Sequence, residues 1–160
     1  MEPTPASAEN ASAADARQYL TFSLDGEEYG VDILKVQEIK GYVSTTRVPN
    51  AAPEVVGVLN LRGTIVPIVD LRRKFGMEAI EYDPFTAIVV VVVRGRTMGM
   101  IVDRVSEVMS IPQADIEPPT EGASMGDLLQ GMGKVGEKLV ILLDVEAVLL
   151  GASQPALLAA

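Results

Sequence analysis

The sequence contains neither cysteine nor histidine. Without cysteine there can be no disulfide, no thiolate nucleophile and no Cys/His zinc site. Without histidine there is no imidazole to act as acid or base near neutral pH. Glycine-rich phosphate loops of the form G-x-x-x-x-G-K-[ST] and the G-x-S-x-G elbow are also missing, so nucleotide hydrolysis and serine acyl transfer lack a motif. A basic excess is absent too. The net charge is −9, which argues against nucleic acid as a partner and against an anionic membrane surface. The longest aliphatic run, Ala87–Val93, is far shorter than the roughly 20 residues a membrane-spanning helix needs. Residues 1–16, MEPTPASAENASAADA, have no basic start followed by an apolar stretch and so do not read as a secretory signal. These absences predict a soluble cytoplasmic protein that is not an enzyme, needs no cofactor and does not insert into a membrane.

What is present is a globular composition, 48% apolar over 160 residues, enough for one compact domain or two very small ones. The most informative stretch is GVLNLRGTIVPIVDL, residues 57–71. Two apolar runs meet at Arg62-Gly63, where glycine can adopt the positive φ of a tight hairpin turn. Alternation places Leu59 and Leu61 on one face and displays Asn60 and Arg62 on the other. Pro67 cannot donate to a ladder and predicts an edge strand or a barrel corner. Residues 18–24 alternate Leu20, Phe22 and Leu24 against Tyr19, Thr21 and Ser23, the pattern of a strand with one buried face. Asp25-Gly26 turns this strand into a partner at 28–33, and 34–43 read as a short turn followed by a strand. Residues 44–53 form a loop, and 72–76, RRKFG, one helical turn closed by Gly76. Five consecutive valines, Val89 to Val93, predict a central strand buried on both faces. Residues 98–102 and 105–111 read as a further hairpin, and 112–124 as an exposed connection. Residues 139–143 form a buried strand, and Asp144 caps a short helix over 145–150. The tails, 1–16 and 151–160, have the composition of disordered segments.

The chain also repeats itself. Gly26, Gly30, Val36, Glu38 and Ile39 realign without a gap on Gly95, Gly99, Val105, Glu107 and Val108, and residues 65–71 realign on 139–145. Each half carries a hairpin with two glycines, a V-x-E-[IV] strand and an apolar strand ending in Asp. The fold class expected is all-β: two similar small antiparallel barrels of about five strands, closed to limit their edges, with a few short helices. The seam between them is the natural place for a groove. Val36, Glu38 and Ile39 then read either as an ordinary strand with a solvated Glu or, with Val105, as the lining of an apolar groove for a partner's amphipathic helix. Arg62 is either a solvated turn residue or the planar fork that fixes a partner's register. Met98, Met100 and Met109 read either as adaptable contact surface or, in the commoner use, as gap-fillers. Asp32, Asp70, Asp103 and Asp144 sit at strand ends and caps, with no loop to gather them into a hydrolytic or metal site. A small-ligand barrel would require a sizeable internal pocket, which a valine-rich interior argues against.

The segments EEYGVDILKVQEIKGY (27–42), VVGVLNLRGTIVPIVDLRRKFG (55–76) and MGMIVDRVSEVMSI (98–111) strongly resemble the CheW family of chemotaxis adaptors. The resemblance runs from Gln18 to Leu150, so residues 17–150 are expected to form a CheW-like domain and the tails carry none of it. It implies two interleaved five-stranded SH3-like barrel subdomains around a shared apolar core. It also implies a non-enzymatic scaffold that couples transmembrane chemoreceptors to the histidine autokinase CheA. Carried over by position, receptor binding falls to Val36, Glu38, Ile39, Arg62, Val105 and Val108, and a kinase contact to Tyr42, Val43 and Val48. The receptor partner is then a cytoplasmic hairpin tip, the kinase partner is CheA's regulatory domain, and the adaptor is recruited to membrane-associated receptor arrays. An adaptor of a non-flagellar chemosensory kinase pathway is the alternative within the same resemblance.

Overall fold

Three two-residue turns with both φ positive set the framework. Asp25-Gly26 (53° and 84°) joins β1 (Ala16–Leu24) to β2 (Glu27–Asp32). Arg62-Gly63 (52° and 90°) joins β4 (Val55–Leu61) to β5 (Thr64–Asp70), and Arg94-Gly95 (52° and 78°) joins β6 (Ala87–Val93) to β7 (Arg96–Val102). Such turns twist in the sense that paired strands require. The remaining strands are β3 (Val36–Gly41), β8 (Arg104–Pro112), β9 (Ile116–Glu117), β10 (Leu129–Val135) and β11 (Lys138–Leu143). Two short helices complete the set, α1 (Leu71–Lys74) and α2 (Val145–Leu150). This structure is a computed structural model that describes residues 16–119 and 128–150. The tails expected at 1–15 and 151–160 and the end of the expected 112–124 connection lie outside the described residues. Ala16, expected in the tail, begins β1, and Ile116–Glu117, expected in the connection, pairs with β10.

The strands form two sheets, ordered β3-β6-β7-β5-β4 and β8-β1-β2-β11-β10-β9. Neither sheet belongs to one half of the chain. The first takes three strands from the first half and β6 and β7 from the second; the second sheet takes β1 and β2 from the first half and four strands from the second. The barrels are therefore interleaved, and each contains a parallel pairing, β5 with β7 and β11 with β2, where wholly antiparallel barrels were expected. The expected hairpin over 98–102 and 105–111 does not form, because β7 and β8 lie in different sheets. Only Asp103 separates them, too short a link to reverse the chain, and its N–H donates to the Ser23 carbonyl, carrying the chain across to the second sheet.

Interleaving creates three cores. A large one is shared between the sheets and includes Leu20, Phe22, Val89, Val91, Met98 and Met100. A second, with Val66, Ile68, Ile88 and Val90, fills the first barrel; a third, with Tyr19, Ile111, Val140 and Leu142, fills the other. β6 shows why the valine run suits a doubly buried strand: Val89 and Val91 enter the shared core while Ile88 and Val90 enter the barrel, and only Val92 is exposed. The same arrangement corrects the reading of β1. Tyr19 and Thr21, expected on a wet face, are buried, because that face lies against the third core and β8. Pro67 also departs from expectation. It lies in β5, which is flanked by β4 and β7, and it is tolerated because pairing with β7 starts only at Ile68. Leu59 and Leu61 pack into the first barrel as expected, while Asn60 is exposed and its Oδ1 accepts from Gly63 N–H at 2.9 Å. Met98 and Met100 are core residues and Met109 packs on the third cluster. α2 begins at its expected cap, Asp144, which accepts from Ala147 N–H at 3.2 Å; α1, expected over 72–76, starts one residue earlier and is capped by Asp70, which accepts from Arg72 N–H at 2.9 Å.

Candidate functional site: an apolar strip on two bulged edge strands

The V-x-E-[IV] motif is a β-bulge in both halves. Along β3, Val36 opposes Val91, Glu38 opposes Val90 and Ile39 opposes Val89, so Gln37 is the inserted residue. Residues directly opposed across a ladder share a face. Val36 and Ile39, three apart, therefore both point to the shared-core side of the sheet, which regular alternation would forbid. β8 repeats the device, with Val105 opposite Phe22 and Val108 opposite Leu20, while Ser106 and Glu107 share Thr21. The buried Thr21 hydroxyl fills this bulge, donating to the Glu107 carbonyl at 2.8 Å and accepting from its N–H at 3.2 Å. β3 and β8 are each the terminal strand of their sheet. Val36 and Val105 pack on the rim of the shared core, while Ile39 and Val108 are 45% and 49% exposed. On each terminal strand the pair carries the apolar shared-core face outward, from Val36 to Ile39 and from Val105 to Val108.

Glu38 opposes Val90 and so turns to the other face of β3, where Arg62 reaches it. Nη2 of Arg62 donates to Glu38 Oε1 at 2.8 Å and to Oε2 at 3.3 Å. The Arg62 hydrogen bond holds the Glu38 carboxyl below its ordinary range and, reciprocally, holds the guanidinium proton more tightly. Glu38 lies on β3 and Arg62 on the β4–β5 turn, and β3 and β4 are opposite ends of the first sheet's strand order. Their contact shows the sheet closing on itself into a barrel. The pair has no counterpart in the second half, where the β10–β11 turn carries Gly136 and Glu137 at the corresponding place.

The expected kinase-contact residues lie elsewhere on the first barrel. Tyr42 is half-buried against Tyr82, with ring centroids 4.3 Å apart, and Val43 is 42% exposed. Tyr42 and Val48 line an open cavity of about 860 Å³ beneath the 44–53 loop, together with Arg47, Asn50 and Arg73. This cavity lies outside both barrel interiors, whose clustered side chains are packed. The Tyr82 hydroxyl donates to Asp70 at 2.6 Å; burial, and then this hydrogen bond, raise its pKa. The four aspartates expected at strand ends and caps are used structurally: besides Asp70 and Asp144, Asp32 accepts from Leu34 N–H at 2.9 Å and Asp103 holds Arg72. Among the described residues there is no group of three or more acidic side chains placed to hold a metal.

Arg72 is the residue that sequence reasoning missed. Within RRK it reads as solvated, yet it is 8% exposed. Its guanidinium donates to Asp103 through Nε at 2.8 Å and Nη2 at 2.7 Å, and to the Glu78 carbonyl through Nη1 at 2.7 Å. Asp25 stands 3.7 Å from the same Nη2, and its N–H donates to Asp103 at 2.9 Å. A visible signal existed in the repeat: Arg72 aligns with Glu146 and Asp25 with Arg94, a contact whose two signs invert together.

Residues 18–152 match the family described as CheW-like domain. The chain is 45% identical over 135 residues to a chemotaxis protein CheW of Klebsiella aerogenes, covering 83% of this chain and 81% of the relative. It is 38% identical to a chemotaxis protein CheW of Helicobacter pylori, covering 82% and 81%. Among solved structures it superposes on a scaffolding protein, TtCheW of Thermoanaerobacter tengcongensis, with a TM-score of 0.81 at 32% identity, covering 86% of this chain and 95% of that one. The two interleaved SH3-like barrel subdomains, the bulged V-x-E-[IV] strands and these matches converge: the chain belongs to the CheW family.

Proposed function

We propose that this protein is a non-enzymatic adaptor that couples chemoreceptors to the histidine autokinase CheA, and that it works in the cytoplasm at membrane-associated receptor arrays. The named relatives are chemotaxis proteins and the solved neighbour is a scaffolding protein, which supports the general role. What supports the site is the pair of bulges, which turns Val36 with Ile39 on β3, and Val105 with Val108 on β8, to the shared-core face of two terminal strands; the proposal joins the two pairs into one apolar strip. Such a strip suits the apolar face of a helix, here the hairpin tip of a receptor. Glu38 and Arg62, paired on the opposite face of the same terminal strand, flank the helix and give it a register. A second contact, with the kinase's regulatory domain, involves Tyr42, Val43 and Val48 at the cavity beneath the 44–53 loop. An adaptor of this kind transmits a signal by making different contacts in the kinase-on and kinase-off arrays, not by chemistry.

The test is kinase autophosphorylation in receptor-containing membranes with the chain added, omitted, or carrying Ile39→Asp and Val108→Asp. Both positions are half-exposed, so the fold should survive the change. Receptor-dependent stimulation should require the chain and be lost with the double variant, while pull-down by the kinase persists. Stimulation without the chain would defeat the adaptor reading, and an equal loss of receptor and kinase binding in a folded variant would defeat the assignment of the strip.

A further inference from the structure

The chain passes from one sheet to the other immediately before each wall of the strip. The first crossing runs through the 3-10 turn Ile33–Lys35 into Val36, and the second through Asp103 into Arg104 and Val105. Each crossing is gripped by a helix that belongs to the closing strand of the other sheet. At the second crossing, Arg72 of α1 holds Asp103 with two hydrogen bonds and has Asp25, in the β1–β2 turn, at 3.7 Å. At the first crossing, Glu146 of α2 lies 3.8 Å from Lys35 and 3.1 Å from Arg94, in the β6–β7 turn. Two of the three positions correspond in the repeat with their signs reversed, Arg72 to Glu146 and Asp25 to Arg94, while Lys35 lies one residue out of register with Asp103; the result is a cation between two acids in one cluster and an acid between two cations in the other.

They differ in their access to water. The Arg72–Asp103 pair at the heart of the first cluster is 10% and 21% exposed, with Asp25 at its rim 64% exposed, whereas Glu146, Lys35 and Arg94 are 34%, 41% and 73% exposed. The Arg72–Asp103 pair that grips the second crossing is short and little screened; both contacts of Glu146 are longer and lie in water, so the grip on the first crossing weakens as salt rises.

We propose that Arg72 and Glu146 are positioning residues for the strip, each pinning the crossing that launches one of its walls, and that the β3 wall, held by Glu146, is the adjustable one. This rests on the assignment of the strip as the receptor contact. It gives the adaptor one firm wall, carrying Val105 and Val108, and one wall, carrying Val36 and Ile39, whose spacing responds to conditions.

Because the chain contains no cysteine, Gln37→Cys and Glu107→Cys supply two unique thiols, one on each exposed wall. Nitroxides attached there report the spacing of the walls through their dipolar coupling, with no receptor present. The distance distribution should broaden between about 0.05 M and about 1 M salt, as the screening length falls from over 10 Å to about 3 Å. Glu146→Gln should be broad already at low salt and lose the salt response. The inverted cluster, Glu146→Lys with Lys35→Glu and Arg94→Glu, should restore both the narrow distribution and its response, which a generic packing role for Glu146 would not do. Receptor-stimulated kinase activity at low salt should fall in Glu146→Gln and recover in the inverted variant. An unchanged distribution in Glu146→Gln, or a folded inverted variant that stays broad, overturns the proposal. A distribution that moves while coupling does not would leave the pins standing and refute the strip as the receptor contact.

Discussion

Asp103→Ala is the most demanding perturbation of this fold. It leaves the Arg72 guanidinium, 10% exposed, with the Glu78 carbonyl at 2.7 Å and Asp25 at 3.7 Å, and strands the Asp25 N–H that Asp103 accepts. Breaking a buried pair from one side costs roughly 3–5 kcal/mol. Asp103 is 21% exposed and Asp25 remains near, which places the expected cost at the low end, about 3 kcal/mol. In a thermal scan this is a fall in Tm of roughly 6–12 °C. Arg72→Met leaves the better-hydrated partner behind and should cost less, about 2 kcal/mol. The double variant should cost less than the sum of the two, with a coupling of about 1–2 kcal/mol. Urea unfolding of the four proteins with a common m-value measures this cycle. The reasoning fails if Asp103→Ala costs under about 1 kcal/mol or if the two single effects add. The same pair gives an acid signature. Burial pushes the Asp103 carboxyl up, but the Arg72 hydrogen bonds and the Asp25 N–H outweigh it and the net shift is downward. A depressed carboxyl stabilises the fold above its ordinary range, about pH 4, and that contribution is lost as pH falls through the lower folded value. The acid limb of the stability profile should therefore be shallower in Asp103→Ala.

Gly57→Ala should destabilise by about 2 kcal/mol or more, since a Cβ there collides with the Thr46 carbonyl oxygen and backbone relief is unavailable at φ 155°; thermal melts should show a similar loss for Gly131→Ala, where a Cβ meets the Glu117 carbonyl oxygen. Tyr82→Phe removes the hydrogen bond to Asp70 and should cost about 1 kcal/mol in chemical unfolding. Because the folded Tyr82 pKa is raised, its contribution is complete below about pH 10 and is lost above it, so the phenylalanine variant should lose less stability on the alkaline side. The Glu38 carboxyl, titrated by carbon NMR, should ionise below the ordinary glutamate range and return to it in Arg62→Ala, with an unchanged melting temperature because the pair is exposed.

Local chemistry was legible wherever it decided the structure. Asp25-Gly26, Arg62-Gly63 and Arg94-Gly95 each turn a hairpin, Asp70 and Asp144 cap helices, and the repeat is real. What failed depends on which sheet a strand joins. Periodicity cannot distinguish a dry face from a wet one, so alternation alone gives Tyr19 and Thr21 to solvent, although Tyr19 packs in the third core and the Thr21 hydroxyl fills the β8 bulge. Apolar strands separated by a single Asp103 look like a hairpin until something draws them apart, and the crossing is fixed by Ser23 and Arg72, both far away in sequence. The V-x-E-[IV] spacing was seen as a repeat, but that it is a bulge placing Val36 beside Ile39 emerges only from the ladder register. Arg72 was hidden because a charge gains burial from a partner 31 positions away.

The exchange of strands between halves also has a consequence during synthesis. When residues up to Asp70 have left the ribosome, β3, β4 and β5 lack β6 and β7, and β1 and β2 lack β8 and β11. Phe22, Val31, Val66 and Ile68, all fully buried in the finished protein, must wait in the open for strands not yet made. The first sheet can close only when β7 has emerged and the second only with β11, the last strand, so two halves divided after Asp70 and expressed separately should be insoluble alone yet able to fold together.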